Sequence, residues 1–237
     1  MPEPSSSPHR WNQIKRLPLH PQVQSLADYE EAVIKGVGDA IVCLSTVDVF
    51  ERLTVADLQA VHFHLFKGVH PWAGEFRTPG QMAVVAGFPA ADSQRIHREL
   101  ELALHQTRQL LAAAFGDESQ LLAALSFLHV RFERIHPFQD GNGRSGRTVL
   151  AMQFERTFGL LPDFSDQRGY REAIRATASG NLGPFVRFLG RSTGLTLDAE
   201  AWLSAYRLAP RFLEADDGEP SFEDDLRWSV SSRSRAS

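Results

Sequence analysis

Residues 136–147 read His-Pro-Phe-Gln-Asp-Gly-Asn-Gly-Arg-Ser-Gly-Arg. Twelve positions hold one imidazole, one carboxylate, a glycine-bracketed turn and two guanidinium groups. His136 is the side chain here that can exchange a proton near neutral pH. Pro137 stiffens the chain after it and disfavours helix at His136 itself. Phe138, a lone large apolar residue in a polar run, is expected to anchor the loop in the core. Asp140 is a hard oxygen ligand, suited to Mg²⁺ shared with phosphate oxygens. Gly141-Asn142-Gly143 can turn sharply and aim successive backbone N–H groups at an anion. A helix starting near Gly143 would add its positive dipole end at the same point. Arg144 and Arg147, three apart, would share one face of that helix, and their planar forks suit phosphate oxygens.

The flanks read as helices. Leu121, Leu125, Leu128, Phe132 and Ile135 make an apolar stripe running into the motif. Arg147, Leu150, Phe154 and Phe158 continue beyond it, closed by Gly159 and Pro162. The loop is thus expected between two core helices, where a preorganised site is best supported.

The segment resembles the signature of the Fic family, His-x-Phe-x-Asp/Glu-Gly-Asn-Gly-Arg-x-x-Arg, at every specified position. A looser resemblance lies upstream, in Leu65-Phe66, Pro71-Trp72-Ala73-Gly74 and Arg77-Thr78. It precedes a stretch that in Fic domains forms a β-hairpin called the flap. Together the resemblance spans roughly residues 50 to 195. It implies an all-α, Fic-type helical bundle with a small β-hairpin. It also implies an enzyme that moves AMP from ATP onto a Tyr, Thr or Ser hydroxyl of a target protein. On that resemblance His136 is the general base and Asp140 holds Mg²⁺. Gly141, Asn142 and Gly143 cradle phosphate, Arg144 takes the β-phosphate region and Arg147 the γ-phosphate. Thr78, Met82, Ala83, Val84 and Val85 fall in the flap, which can register a target segment by strand addition. The same scaffold also supports transfer of UMP, phosphocholine or phosphate, or a non-catalytic interaction module. The intact motif favours AMP transfer.

Many Fic enzymes are restrained by a helix of pattern Ser/Thr-x-x-x-Glu-Gly/Asn, whose glutamate pairs with the second motif arginine. The nearest run here, Thr196-Leu197-Asp198-Ala199-Glu200-Ala201, departs at Ala201. Two readings follow from the resemblance: a separate small inhibitor protein supplies a glutamate to Arg147, as in toxin–antitoxin pairs, or regulation uses another device.

The 237 residues are 43% hydrophobic and 23% charged, enough for one large soluble domain with tails. A net charge of −4 gives no electrostatic case for nucleic acid or anionic membrane as partner. Cys43 sits in an apolar run and reads as an inert thiol. The absence of a disulfide framework fits the cytoplasm, and the Pro/Ser-rich start carries no signal-peptide core. No run approaches the ~20 apolar residues of a bilayer span.

The remaining segments follow in order. Residues 1–20 read as an extended or disordered Pro/Ser-rich arm, whose Trp11 and Ile14 could pack on the domain or on a partner, and 21–53 as a helical segment behind Ser25. The Fic-type domain is expected over 54–195, starting with Thr54 and Asp57 as a capping pair. A helix at 196–212 and a disordered acidic, then Ser/Arg-rich, tail at 213–237 complete the chain. His62 and His64 point to different faces of one helix, so they read as packed histidines rather than metal ligands. Arg131, Glu133 and Arg134 read as solvated or paired charges beside the motif.

Overall fold

A computed structural model describes residues 7–81, 84–85, 88–114, 117–177 and 180–195. The expected C-terminal helix and tail, and flap residues Met82 and Ala83, lie outside these. Among the described residues, eight α-helices make up nearly all of the regular structure. They are α1 (Ser7–Ile14), α2 (Leu26–Ser45), α3 (Val55–Phe66), α4 (Ile96–Ala114), α5 (Glu118–Ile135), α6 (Asn142–Phe158), α7 (Gln167–Ala176) and α8 (Gly183–Thr193). Two-residue strands β1 (Val84–Val85) and β2 (Phe88–Pro89) pair antiparallel, with Val85 opposite Phe88.

The architecture turns on α5. Every residue from Leu122 to Glu133 is buried, as expected of a helix enclosed on all sides rather than one with a wet face. Its Leu122, Leu125, Phe127 and Val130 join a core with Phe154, Tyr170, Ile174, Phe185 and Leu189 of α6, α7 and α8. Its Leu128, Phe132 and Ile135 join a second core with Leu44, Leu58, Leu65, Phe66, Leu100 and Phe138. The end of α5, where the motif begins, is therefore fixed from two sides.

Local signals explain the helix boundaries. Ser25 with Asp28, and Thr54 with Asp57, form reciprocal capping boxes. Asp117 and Asp166 cap α5 and α7. Arg156, in the last turn of α6, donates to the carbonyls of Leu44, Ser45 and Val47, which satisfies acceptors at the end of α2. A Cβ on Gly36 would lie 2.3 Å from the Leu65 carbonyl oxygen, so only glycine lets α2 approach α3 this closely.

The described part of the N-terminal arm begins with α1 at Ser7. Trp11, Ile14 and Leu19 pack on the second core, and the His20 amide donates to the Val69 carbonyl at 2.9 Å. Composition suggested disorder because proline and serine dominate the first eight residues; three apolar side chains further on are enough to hold the segment down.

Candidate active site

The motif loop runs from the C-terminus of α5 to the N-terminus of α6. His136 is the C-cap of α5, in the left-handed region at φ 50°, and its amide donates to the Phe132 carbonyl. A non-glycine residue there costs on the order of 1 kcal/mol or more, so neighbouring bonds must enforce it. Arg77 does so. Its Nε donates to the His136 carbonyl at 2.8 Å, its Nη2 to the carbonyls of Ile135 and Ala91, and its amide to the Pro137 carbonyl. Arg77 is 6% exposed, and burial lowers its pKa. One buried guanidinium thus ties the segment ahead of β1 to the motif.

The His136 imidazole is held in one tautomer. Nδ1 lies 3.2 Å from the Glu133 carbonyl, which can only accept, so Nδ1 carries the proton and Nε2 keeps its lone pair. Burial lowers its pKa, and Arg77 adds to the shift, so the ring is a neutral base at pH 7.

Phe138 is fully buried. Its ring stacks on His62 at 3.8 Å between centroids and tilts against Phe76. Asn142 is 1% exposed and uses both ends of its amide on Phe138, accepting from its N–H and donating to its carbonyl at 2.8 Å each. Asn142, expected to help cradle phosphate, thus spends its side-chain amide on bracing the loop. Gly141 precedes α6 at φ 82°, and a Cβ there would lie 2.3 Å from the Phe66 ring. No other residue fits that corner.

Asp140 is about a third exposed on its side chain and lies 3.0 Å from Arg144 Nη2. Among the described residues no three His, Cys, Asp or Glu side chains gather to hold a metal. A partly exposed carboxylate beside a helix N-terminus suits Mg²⁺, which takes one or two carboxylates and draws its other ligands from phosphates and water.

The two arginines do not share a face as their spacing suggested. Arg144 turns toward α2 and α3, with its guanidinium 4.4 Å from the Phe66 ring centre and hydrogen-bonded to the Tyr29 hydroxyl. Arg147 turns toward α7, 5.1 Å from the Tyr170 ring centre and 5.9 Å from that of Phe164. Three residues leave the two side chains about 60° apart around the helix, and aromatic surfaces on either side draw each its own way. Both stay near the start of α6: Arg144 Nη2 lies 3.0 Å from Asp140, and a Cβ on Gly143 would lie 3.0 Å from Arg147 Nη1.

Several functional positions escaped sequence reasoning. His62 is fully buried; its Nδ1 accepts from the Gly74 amide and its Nε2–H donates to the Asp140 carbonyl at 3.0 Å. Burial takes its pKa down to about 4. Glu133 is 5% exposed rather than solvated, and burial pushes its pKa up to about 7. Arg131 is 2% exposed and paired with Glu99. The signal was available for Glu133: a stripe four and three apart that continues unbroken on both sides leaves no wet face.

In the flap, Thr78 is exposed, and its amide and carbonyl both bond Gln81. Gln81 Nε2 donates to Gln139 Oε1 at 3.2 Å, a second tie between flap and motif. Val84 and Val85 form β1. A separate cavity of about 330 Å³, lined by Leu53, Arg95, Arg98, Leu102, His105 and Arg108, contains no motif residue.

Comparison with known proteins agrees with this geometry. The Fic/DOC family model matches residues 52–154. Protein adenylyltransferase Fic of Nematostella vectensis is 29% identical over 153 residues, 63% of this chain and 34% of that protein. The protein of that name from Drosophila melanogaster is 27% identical over 157 residues, 65% of this chain and 30% of that one. The chain thus spans about a third of the length of the curated relatives it matches. In structure, Fic-1 of C. elegans superposes with a TM-score of 0.58 at 20% identity, covering 75% of this chain and 51% of that one. BepC of Bartonella tribocorum, solved with bound AMPPNP, gives a TM-score of 0.54 at 20% identity over 74% of this chain and 90% of that one. The motif, the helical frame and the match to the Fic/DOC family model thus all fall on the same residues, 52–154.

Proposed function

We propose that this chain is a protein adenylyltransferase that transfers AMP from ATP to a hydroxyl side chain of a target protein. The observation that carries this reading is the His136 imidazole. It is pinned through Nδ1, neutral, and keeps its Nε2 lone pair on the loop that leads into α6. The names of the curated relatives and the nucleotide bound to BepC support it.

In the reaction, Nε2 of His136 takes the proton of the target hydroxyl as its oxygen attacks the α-phosphorus. The bond from that phosphorus to the bridging oxygen breaks, and pyrophosphate leaves. The α6 N-terminus, Arg144 and Arg147 offset charge on the phosphates, the main demand of phosphoryl transfer. Asp140 would hold Mg²⁺, which when bound screens the phosphate oxygens. The edge of β1 offers a place for the target segment to pair as a strand. A small protein supplying a glutamate to Arg147 would restrain the site, as the missing inhibitory motif suggests.

The test is incubation of the chain with Mg²⁺, ATP labelled at the α-phosphate, and cell extract. Labelled protein is expected with the wild type and none with His136→Ala. Label from the γ-phosphate instead, or equal labelling by His136→Ala, overturns the reading.

A further inference from the structure

We propose that Tyr170 of α7 and Glu133 of α5 are positioning residues for Arg147, a buried seat that sets the preference of the site for a nucleoside triphosphate over shorter nucleotides. This rests on the reading of the motif as a nucleotide site and adds two residues outside it.

The seat is built from four elements. Tyr170 is 4% exposed, and its hydroxyl lies 2.8 Å from His129 Nε2. Its ring meets Phe185 of α8 edge-on at 6.1 Å, and His129 stacks flat on the same Phe185 at 5.0 Å. The phenol is thus fixed from α5 and α8 before it meets Arg147. The Arg147 guanidinium lies over the Tyr170 ring, and the Tyr170 hydroxyl faces both Arg147 and Glu133. On the other side, Arg147 Nη1 closes on Gly143, the backbone of the anion cradle. Arg147 therefore bridges a rigid buried cluster and the place where phosphate would sit.

Glu133 completes the cluster. Its carboxyl presses against the α6 backbone, since a Cβ on Gly146 would lie 2.8 Å from Oε1. Oε1 is buried without a hydrogen-bond partner among the described residues. A buried acid beside an arginine is poor for stability, so its place here needs another account. The polar groups beside it are Arg147 of α6, Tyr170 of α7 and His129 of α5. Burial keeps His129 neutral, its pKa down to about 3, so Arg147 is the one cation the carboxyl faces in this cluster. Without the acid and the phenol, a long arginine side chain would sample several rotamers, and each bond to a terminal phosphate would first have to order it.

The experiment is calorimetric titration of wild type, Tyr170→Phe and Glu133→Gln with ATP, ADP and AMP in Mg²⁺, alongside ATP kinetics. Each variant is expected to lose about tenfold in ATP affinity, the scale of one hydrogen bond to a charged group. AMP affinity should be unchanged, and KM for ATP should rise with kcat at saturation within about twofold. Folded variants that keep the wild-type ratio of ATP to ADP affinity overturn the proposal, as does equal weakening of all three nucleotides. A wild type that binds none of the three removes the nucleotide reading itself, a distinct result. Tyr170→Phe keeps the ring and the packing, so the test survives if Glu133→Gln fails to fold.

Discussion

His62 Nε2 donates to the backbone carbonyl of Asp140 at 3.0 Å, across 78 residues of sequence. The same ring accepts from the Gly74 amide and stacks on Phe138. One buried imidazole thus sets the height of the loop residue expected to meet the metal and the start of the path to the flap. His62→Ala leaves a cavity, an unsatisfied Asp140 carbonyl and an unsatisfied Gly74 amide. A loss of about 3 kcal/mol is expected, from the cavity together with the unpaired groups. Urea denaturation measures it, and a loss under about 1 kcal/mol would show that the loop holds without this latch.

Arg77→Lys separates stability from site geometry. Lysine keeps the charge but cannot place Nε and Nη2 on the carbonyls of His136, Ile135 and Ala91 together. His136 then loses the bond that enforces its left-handed backbone. The expected outcome is a modest loss of about 1–3 kcal/mol in stability with a fall of at least tenfold in kcat. Denaturation paired with labelling kinetics checks it. A variant that loses stability with kcat intact would assign Arg77 to the fold alone.

Stability should depend on pH through three buried groups that act in opposite directions. His62 and His129 have folded pKa values of about 4 and about 3, below the ordinary 6.5, so the folded state binds fewer protons than the unfolded chain. Their contribution is present above pH 6.5 and is lost as pH falls toward 4 and 3. Glu133 has a folded pKa of about 7 against 4.5, so its contribution is present below pH 4.5 and is lost as pH rises through 7. Each group changes stability by about 1.4 kcal/mol per pH unit inside its window. Between pH 6.5 and 4.5 the carboxyl therefore cancels one of the two histidines. Glu133→Gln should steepen the acid loss in that range and stabilise the chain at pH 8 relative to its stability at pH 5. Melting temperature against pH for both proteins decides it, and parallel curves would show that Glu133 does not titrate there.

Much of this was legible in the chain. The stripe from Leu121 to Ile135 and the capping pair at Thr54 and Asp57 carry their helices in local spacing. The motif located the loop because glycine, aspartate and arginine in that order have few structural uses. What stayed hidden depends on partners distant in sequence. His62 looked like a packed histidine because nothing near it names Asp140 or Gly74 as its partners. That the Asn142 side chain braces Phe138 stayed hidden because this bond is a property of the folded turn. The order of residues 7–20 rests on Trp11 and Ile14 meeting a core assembled from later helices.

The two glycines of α2 give predictions of opposite sign. A Cβ on Gly38 meets nothing within 4 Å, so Gly38→Ala removes only the entropic penalty of glycine in a helix. It should stabilise by about 0.5–1 kcal/mol. A Cβ on Gly36 strikes the Leu65 carbonyl, a backbone group that cannot swing aside. Gly36→Ala must push α2 away from α3, at a cost of about 1–3 kcal/mol. That movement carries Tyr29 off Arg144, since Tyr29 lies two turns earlier on α2 and holds the guanidinium through its hydroxyl. Phosphate affinity should therefore fall in Gly36→Ala and stay at the wild-type level in Gly38→Ala. Denaturation and ATP titration of the two variants side by side test this, and equal ATP affinity in both would disconnect the α2–α3 contact from the site.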